Sequence, residues 1–151
     1  MYWACGLAFD SSGNLDVGHF SNMTIEKFDS SGNGTTFASG VPSYGLAFDS
    51  SGNLYVSGCS VGTIMKFDSS GNKSIFASGL DYPYGLACDS SGNLYASEYY
   101  SGTIDKFDSS GNMSTFASGL EDPEFIATQV PEPATLLLLG LGAVILRKKR
   151  S

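Results

Sequence analysis

Short runs of apolar residues alternate along this chain with a polar hexapeptide. In GLAFD, Leu46 and Phe48 point to one side of an extended chain and Ala47 to the other. In NLYVS, Leu54 and Val56 share a side and the Tyr between them takes the opposite one. This period of two predicts β-strands rather than helices. Within one stretch of the chain the predicted strands are residues 44–48, 54–57, 63–67 and 74–77.

The hexapeptide is FDSSGN, and its chemistry favours a tight chain reversal. Copies occupy residues 9–14, 28–33, 48–53, 67–72 and 107–112, and a sixth copy at 88–93 has Cys in place of Phe. Asp side chains accept hydrogen bonds from backbone N–H groups two residues later, and Gly adopts a positive φ without strain. Each copy therefore predicts a hairpin loop built on a type I turn with a bulge. Because aromatic and β-branched residues flank the copies, a flexible Ser/Gly linker is the weaker interpretation.

The hexapeptides belong to a longer repeat. Gly6, Gly45 and Gly85 begin equivalent GLA runs, 39 and 40 residues apart, and two hexapeptide turns divide each unit into four strands. Four strands in about 40 residues are typical of a propeller blade. The sequence therefore predicts an all-β protein with three four-stranded antiparallel blades, at about residues 2–40, 41–79 and 80–119, and the start of a fourth at 120–129. The segment TIMKFD breaks the alternation and predicts a bulge in the third strand.

The unit PYGLACDSSGNLYASEYYSGTIDKFDSSGNMSTFASGL resembles the NHL-type and gluconolactonase-like β-propeller repeat, and the resemblance covers residues 2–129. It is specific for the fold and weak for function, since propellers host many activities. Three blades make a partial or open propeller, because closed rings typically have four to eight. Two explanations stay open: the C-terminal half of a longer propeller, or a homodimer that forms a six-bladed ring. Residues 1–15 lack the pattern of a signal peptide, which favours the first.

Charge is unevenly distributed. The chain has a formal net charge of −7, but residues 1–146 hold all 15 acidic residues and only four lysines, which gives −11. The other four cations follow one another near the end. An acidic body argues against a nucleic-acid partner. The three cysteines show no zinc-binding spacing, and Cys5 and Cys88 lie in apolar runs, where small buried side chains are expected, although a pairing stays open.

The last 22 residues have three ordered parts. Pro-Glu-Pro interrupts regular structure, residues 134–146 are uncharged, and four cations follow. Thirteen residues are fewer than the roughly 20 that span a bilayer, and the cations favour retention on the cytoplasmic side. The residues before the uncharged run are Pro131, Glu132 and Pro133, and those after it are Arg147, Lys148, Lys149 and Arg150.

This arrangement is similar to the PEP-CTERM sorting signal of Gram-negative bacteria. The resemblance implies that Pro131–Glu132–Pro133 is the sorting motif and that residues 147–150 stop transfer through the membrane. It also implies that residues 134–146 form a short hydrophobic membrane helix and that the chain is exported and held transiently in the inner membrane. An exosortase-type transpeptidase would then cleave near the motif and release the body to the cell surface or the extracellular matrix. Proteins of this group are associated with exopolysaccharide and biofilm. The tail is thus an address that is removed, as in a GPI signal.

The two faces of the blades differ in how much their connections vary. The hexapeptide turns share one face, here the turn face, and are nearly alike, whereas the strand 2–3 loops and the blade-to-blade connections share the opposite face, here the loop face, and differ between units. Variable loops are where recognition residues are expected. The candidates are His19, Asn22, Tyr44, Tyr82, Tyr84, Glu98, Tyr99 and Tyr100. Tyrosine rings stack on sugars or anchor protein partners, and packing between blades is the alternative role.

The sequence does not assemble a catalytic site. Gluconolactonase-like propellers use a central metal held by carboxylates and an Asn, and related lyases use His and Tyr, but this chain has one His and no matching ligand set. No catalytic residue, metal or cofactor is predicted. The predicted function is a non-enzymatic binding or matrix-associated module. The alternative is a fragment of a metal-dependent, gluconolactonase- or lyase-like enzyme.

Overall fold

The computed structural model describes residues 3–128, which form three four-stranded antiparallel sheets in sequence order. The first sheet, blade 1, contains β1 (Ala4–Phe9), β2 (Leu15–His19), β3 (Thr24–Phe28) and β4 (Gly34–Ser39). Blade 2 contains β5 (Leu46–Phe48), β6 (Leu54–Gly58), a 3₁₀ turn at Cys59–Val61, β7 (Thr63–Phe67) and β8 (Lys73–Ser78). Blade 3 contains β9 (Pro83–Cys88), β10 (Leu94–Glu98), β11 (Thr103–Phe107) and β12 (Met113–Ala117). This confirms the predicted all-β, partial-propeller fold.

The six hexapeptide turns have the same hydrogen bonds. In the turn at 48–53, Asp49 Oδ1 accepts from the N–H groups of Ser51 and Asn53, and Asn53 Nδ2 donates to Asp49 Oδ2 at 2.7 Å. Gly52 donates its N–H to the Asp49 carbonyl and has a φ of 80°. The other five copies repeat this pattern. The predicted turn chemistry is therefore confirmed, since each Asp carboxylate accepts the hydrogen bonds that close its own loop.

Alternation along the strands sorts side chains between two cores. Leu46, Leu54 and Val56 belong to a buried cluster that also contains Ile25 of blade 1. Ala47 and Tyr55 belong to a second cluster, shared with blade 3. A central blade is thus apolar on both sides, because each side packs against a neighbouring sheet.

A bulge recurs at the third strand, but its extra residue lies on the fourth. In blade 2, Ile64 pairs with Ala77 and Met65 pairs with Ile75, which leaves Phe76 without an opposite residue. Phe37 and Phe116 occupy the equivalent places. The bulge turns these rings toward the next blade: Phe37 meets Phe67 at 5.4 Å and Phe76 meets Phe107 at 5.5 Å between ring centroids.

The first predicted strand of blade 2 is too long. The sequence predicts a strand at 44–48, whereas β5 begins at Leu46. Before β5, the Tyr44 N–H donates to the Ser57 carbonyl at 3.0 Å, and the Gly45 N–H donates to Ser57 Oγ at 2.7 Å. The same hydroxyl donates to the carbonyl oxygen of Tyr84 in blade 3. Ser57 therefore joins two strands of its own blade to the next blade.

A glycine in or directly before each first strand lets the next blade approach. A Cβ at Gly45 would overlap the carbonyl oxygen of Tyr84 and lie 3.0 Å from the N of Leu86. Gly6 has the same relation to Tyr44, and Gly85 to Glu124. The three glycines that begin the GLA runs thus mark the seams between neighbouring blades.

The segment after blade 3 lies where the first strand of a further blade would lie. Ser97 Oγ donates to the Glu124 carbonyl at 3.2 Å, as Ser57 does to Tyr84, and Thr128 Oγ1 donates to the Cys88 carbonyl at 2.9 Å. Apolar side chains of the two outer blades are exposed, among them Trp3, Leu7, Phe9, Met113 and Phe116. The homodimer that would form a six-bladed ring stays a prediction.

The three cysteines are unpaired in the described part of the chain. Cys88 packs against the cluster between blades 2 and 3, and Cys59 is buried. Burial raises the pKa of the Cys59 thiol to about 11 and that of Cys88 to about 12, so both are neutral at physiological pH.

Candidate ligand-binding face

Six aromatic rings form a continuous cluster on the loop face. Starting from blade 1, Phe20 meets Tyr44 at 4.8 Å between ring centroids, and Tyr44 meets Tyr84 at 4.6 Å. Tyr84 meets Tyr99 at 5.1 Å and Tyr82 at 5.9 Å. Tyr100 closes the group, at 4.8 Å from Tyr82 and 5.2 Å from Tyr99. We call these six residues the aromatic cluster.

Backbone contacts bring the loops of the cluster together. The Tyr99 N–H donates to the Tyr82 carbonyl at 3.2 Å, which joins the strand 2–3 loop of blade 3 to the connection that enters the same blade. Tyr82 has a positive φ of 66°, a costly conformation for a residue with a side chain. The strained backbone conformation of Tyr82 thus lies where its ring contacts that of Tyr100.

The cluster has a half-buried base and an exposed tip. Tyr44 and Tyr84 are half-buried between neighbouring loops, and burial raises the pKa of both hydroxyls. Tyr100 is 67% exposed. The half-buried hydroxyls are therefore neutral donors and acceptors at physiological pH, and Tyr100 offers its ring to solvent.

An acidic edge borders the cluster. The carboxylate of Asp122, together with burial and Glu124, raises the pKa of Tyr99. Tyr44, Tyr84 and Glu124 also line a cavity of about 300 Å³ with Ala4, Cys5 and Phe125, where the first strands converge. The face thus combines aromatic rings with carboxylates.

The other three candidates are not members of the aromatic cluster. His19 Nε2 is 3.2 Å from Glu26 Oε2 in blade 1, and Asn22 Oδ1 accepts from the Thr24 hydroxyl at 2.9 Å. Glu98 is only 2% exposed and accepts from the Asp81 N–H. Five of the eight candidates are therefore brought together, and Phe20 joins them although it was not among the candidates. Its position in a variable strand 2–3 loop is the signal that identifies it.

Glu98 is a buried carboxyl beneath the connection that carries Tyr82. Its Oε1 has no hydrogen-bond partner within residues 3–128, and neither does Oδ1 of Asp105. Burial raises the pKa of Glu98 to about 7, the Asp81 N–H opposes this rise, and the carboxylates of Asp105 and Asp81 add to it. Glu98 is consequently protonated in the folded protein over much of the mildly acidic range.

We expect Glu98 to make the protein less stable as pH rises. Its pKa is 4.5 in the unfolded chain and about 7 when folded, so the folded state binds the proton more tightly. The resulting stabilisation is complete below about pH 4.5 and is lost between there and about pH 7. Glu98→Gln should remove this fall in melting temperature and raise the melting temperature at pH 8. Thermal unfolding followed from pH 5 to 8 is the measurement.

The matched control is Glu121→Gln, since Glu121 is an exposed acid in the same part of the chain. It should leave the pH dependence as in the parent protein. If Glu98→Gln leaves the change of melting temperature with pH as it is in the parent protein, the assignment of that pH dependence to this carboxyl is contradicted.

Two further predictions concern metal ions and the membrane. Within residues 3–128, no three His, Cys, Asp or Glu side chains are grouped so as to hold a metal ion. The same residues include no helix that is long and apolar enough to cross a membrane. The predicted hydrophobic helix at 134–146, the motif Pro131–Glu132–Pro133 and the four terminal cations lie outside the described residues.

Comparisons with known proteins divide the chain into two parts. Residues 129–150 match the PEP-CTERM protein-sorting motif. No curated protein matches the sequence.

The body resembles solved structures in fold. One is a streptogramin B lyase, with a TM-score of 0.73 and 18% identity over 82% of this chain and 44% of that one. A chain of the nidogen/laminin complex has a TM-score of 0.74 and 22% identity, over 81% of this chain and 51% of that one. A gluconolactonase from Xanthomonas campestris has a TM-score of 0.70 and 14% identity, over 78% of this chain and 48% of that one. The chain spans about half the length of these structures, and the likeness establishes the propeller fold.

Proposed function

We propose that this chain is a surface-sorted propeller that acts as a non-enzymatic binding module of the cell envelope or the extracellular matrix, with the aromatic cluster as its ligand surface. The observation that carries the proposal is the continuous group of six rings on the variable loop face. The sorting motif at 129–150 supports export of such a module, and extracellular polysaccharide is the ligand that we propose for it.

The sorting motif at 129–150 supports export and processing. An exosortase, a membrane-bound transpeptidase, is the partner that this motif implies. In the proposed sequence of events, residues 134–146 hold the chain in the inner membrane, the transpeptidase cleaves near Pro131–Glu132–Pro133, and the body moves to the surface. A role in exopolysaccharide production or biofilm belongs to this proposal.

The chemistry of the aromatic cluster supports a sugar ligand. Ring faces pack against the C–H groups of a pyranose, and neutral tyrosine hydroxyls exchange hydrogen bonds with sugar hydroxyls. The carboxylates of Asp122 and Glu124 at the edge add acceptors. Their negative charge favours neutral polysaccharides over acidic ones, because like charges repel.

We expect Tyr100→Ala to weaken polysaccharide binding about tenfold, the usual effect of truncating an aromatic anchor. The measurement is affinity electrophoresis of the purified protein in gels that contain hydroxyethyl cellulose, dextran or xanthan. Phe116→Ala is the matched control, because Phe116 is 65% exposed, against 67% for Tyr100, but lies on β12 outside the aromatic cluster. Migration that none of the three polysaccharides retards, or equal weakening by both variants, would overturn the polysaccharide proposal and favour a protein ligand.

The enzymatic alternative stays a hypothesis. Two of the structures that share the fold are a lyase and a gluconolactonase, and those activities are known only for those two proteins. Identities of 18% and 14% support a shared fold and not a shared reaction.

A further inference from the structure

The last described segment of the chain shows at which face of the blades the chain leaves its folded body. The residues of the last segment, 124–128, follow the first strand of a blade, with Glu124 in the place of Tyr84 and Thr128 in the place of Cys88. Tyr84 belongs to the aromatic cluster, whereas Cys88 is followed directly by Asp89 of a hexapeptide turn. This segment therefore runs from the loop face to the turn face.

Side-chain contacts at both ends agree with this direction. Glu124 lines the cavity beside Tyr44 and Tyr84 on the loop face. Thr128 lines a groove with Asp89 and Ser90 of the turn at 88–93, and its hydroxyl donates to the Cys88 carbonyl. The chain thus leaves the body at the turn face.

The sorting motif follows almost at once. Residues 129–150 match it, so no spacer separates it from Thr128. Five residues lie between Thr128 and the start of the uncharged run at 134. The six residue steps from 128 to 134 reach at most about 22 Å when fully extended. The four residue steps from Tyr84 to Cys88 cover about 13 Å, so the aromatic cluster lies farther from the exit than the turns do.

From this we infer that the turn face is the membrane-proximal side of the protein while the tail is anchored, and that the aromatic cluster faces away from the lipid. This inference rests on the proposed function, since it takes the tail to be held in a membrane. It places the six alike turns nearest the lipid surface and leaves the variable loops facing a soluble or matrix ligand.

The test compares cysteines on the two faces of blade 3. Ser110 in the turn at 107–112 and Ser101 in the strand 2–3 loop are both exposed. Each is changed to Cys in a full-length chain in which Cys5, Cys59 and Cys88 are replaced by Ala. The protein is bound to vesicles of phosphatidylethanolamine and phosphatidylglycerol, and the rate of labelling by a bulky polyethylene glycol maleimide is measured. We expect S110C to react at least fivefold more slowly than S101C.

A tether control separates orientation from local reactivity. Twenty Gly/Ser residues inserted after Thr128 should free the body from the lipid surface and bring the two labelling rates together. Equal rates without the insertion, or slower labelling of S101C, would overturn the orientation while leaving ligand binding by the aromatic cluster intact. Failure of the chain to float with the vesicles would overturn both the orientation and the proposed membrane step.

A second measurement requires no substitution. Lys73, directly after the turn at 67–72, and Tyr100 are both exposed in the parent protein. On vesicles, acylation of Lys73 by a membrane-impermeant reagent should slow several-fold when compared with the chain that carries the inserted tether, while nitration of Tyr100 should not change. The opposite pattern would overturn the inference.

Discussion

Gly45→Ala should destabilise the protein by about 3 kcal/mol or more, near the upper end of the usual cost of overpacking. The added Cβ would overlap the carbonyl oxygen of Tyr84, which is backbone and has little freedom to move away. Ser57 Oγ and the N of Leu86 lie 3.0 Å from the same Cβ. The blades must separate to admit a methyl group. Chemical denaturation followed by circular dichroism measures the loss.

Gly79→Ala is the control for the backbone conformation of glycine. Gly79 has a φ of 77°, and a Cβ there meets open space. Its substitution should therefore cost about 1–2 kcal/mol, from the left-handed conformation alone. Equal losses for the two variants would show that the seam tolerates a methyl group and would contradict the proposed role of Gly45.

Lys27→Met should destabilise the protein by about 3 kcal/mol, because it leaves the Asp16 carboxylate buried without its counter-ion. Lys27 Nζ lies 2.9 Å from Asp10 and 3.2 Å from Asp16, and Asp16 is fully buried. Burial raises the pKa of Asp16, while its contact with Lys27 opposes this rise. Met retains the apolar stem beside the rings of Phe37 and Phe48. Chemical denaturation at pH 7 is the measurement.

The other blades supply a matched control and a rescue. In blade 2, Tyr55 occupies the position that Asp16 has in blade 1, and Lys66 Nζ lies 5.4 Å from the centroid of its ring. Lys66→Met should therefore reduce the stability by less than about 1 kcal/mol, because no buried charge loses its counter-ion. Asp16→Tyr combined with Lys27→Met should recover most of the lost stability by removing the buried charge. A Lys27→Met protein as stable as the Lys66→Met protein would contradict the proposed ion pair.

The turns were predictable because their chemistry is local. Asp49, Gly52 and Asn53 lie within five residues of one another, and the hydrogen bonds that Asp49 makes with Ser51, Gly52 and Asn53 all lie within one hexapeptide. The alternation of Leu54, Tyr55 and Val56 was equally readable, since neighbouring strand residues face opposite sides.

The seams between blades were not predictable, because they depend on distant residues. Nothing in the sequence near Ser57 shows that its hydroxyl reaches the carbonyl of Tyr84, 27 residues away. The pairing of Lys27 with Asp10 and Asp16 was hidden in the same way. The repeat does offer a signal, because Asp16 occupies the position of Tyr55 and Tyr95 in the other blades. The lysine of the neighbouring strand then pairs with a carboxylate instead of lying over a tyrosine ring.

The candidate face was predicted in part, for a related reason. Comparing the loops identified the tyrosines, since loop variation is visible along the chain. It did not show that Glu98 is buried, because burial depends on how the connection containing Asp81 packs over it. The ring contacts of Tyr44 with Phe20 and Tyr84 likewise required the blades to be placed side by side.

The strand order has a consequence for how the protein folds. Each hydrogen-bonded strand pair in the described sheets joins neighbours in the sequence, so a blade closes through three successive hairpins of low contact order. The strands of each blade can therefore pair soon after they emerge during synthesis, and the apolar sides of the blade are buried when it docks onto the previous one. The near-identity of the blades carries a kinetic hazard. We expect off-pathway species in which a hairpin of one blade occupies the seam meant for another, as is characteristic of repeat proteins.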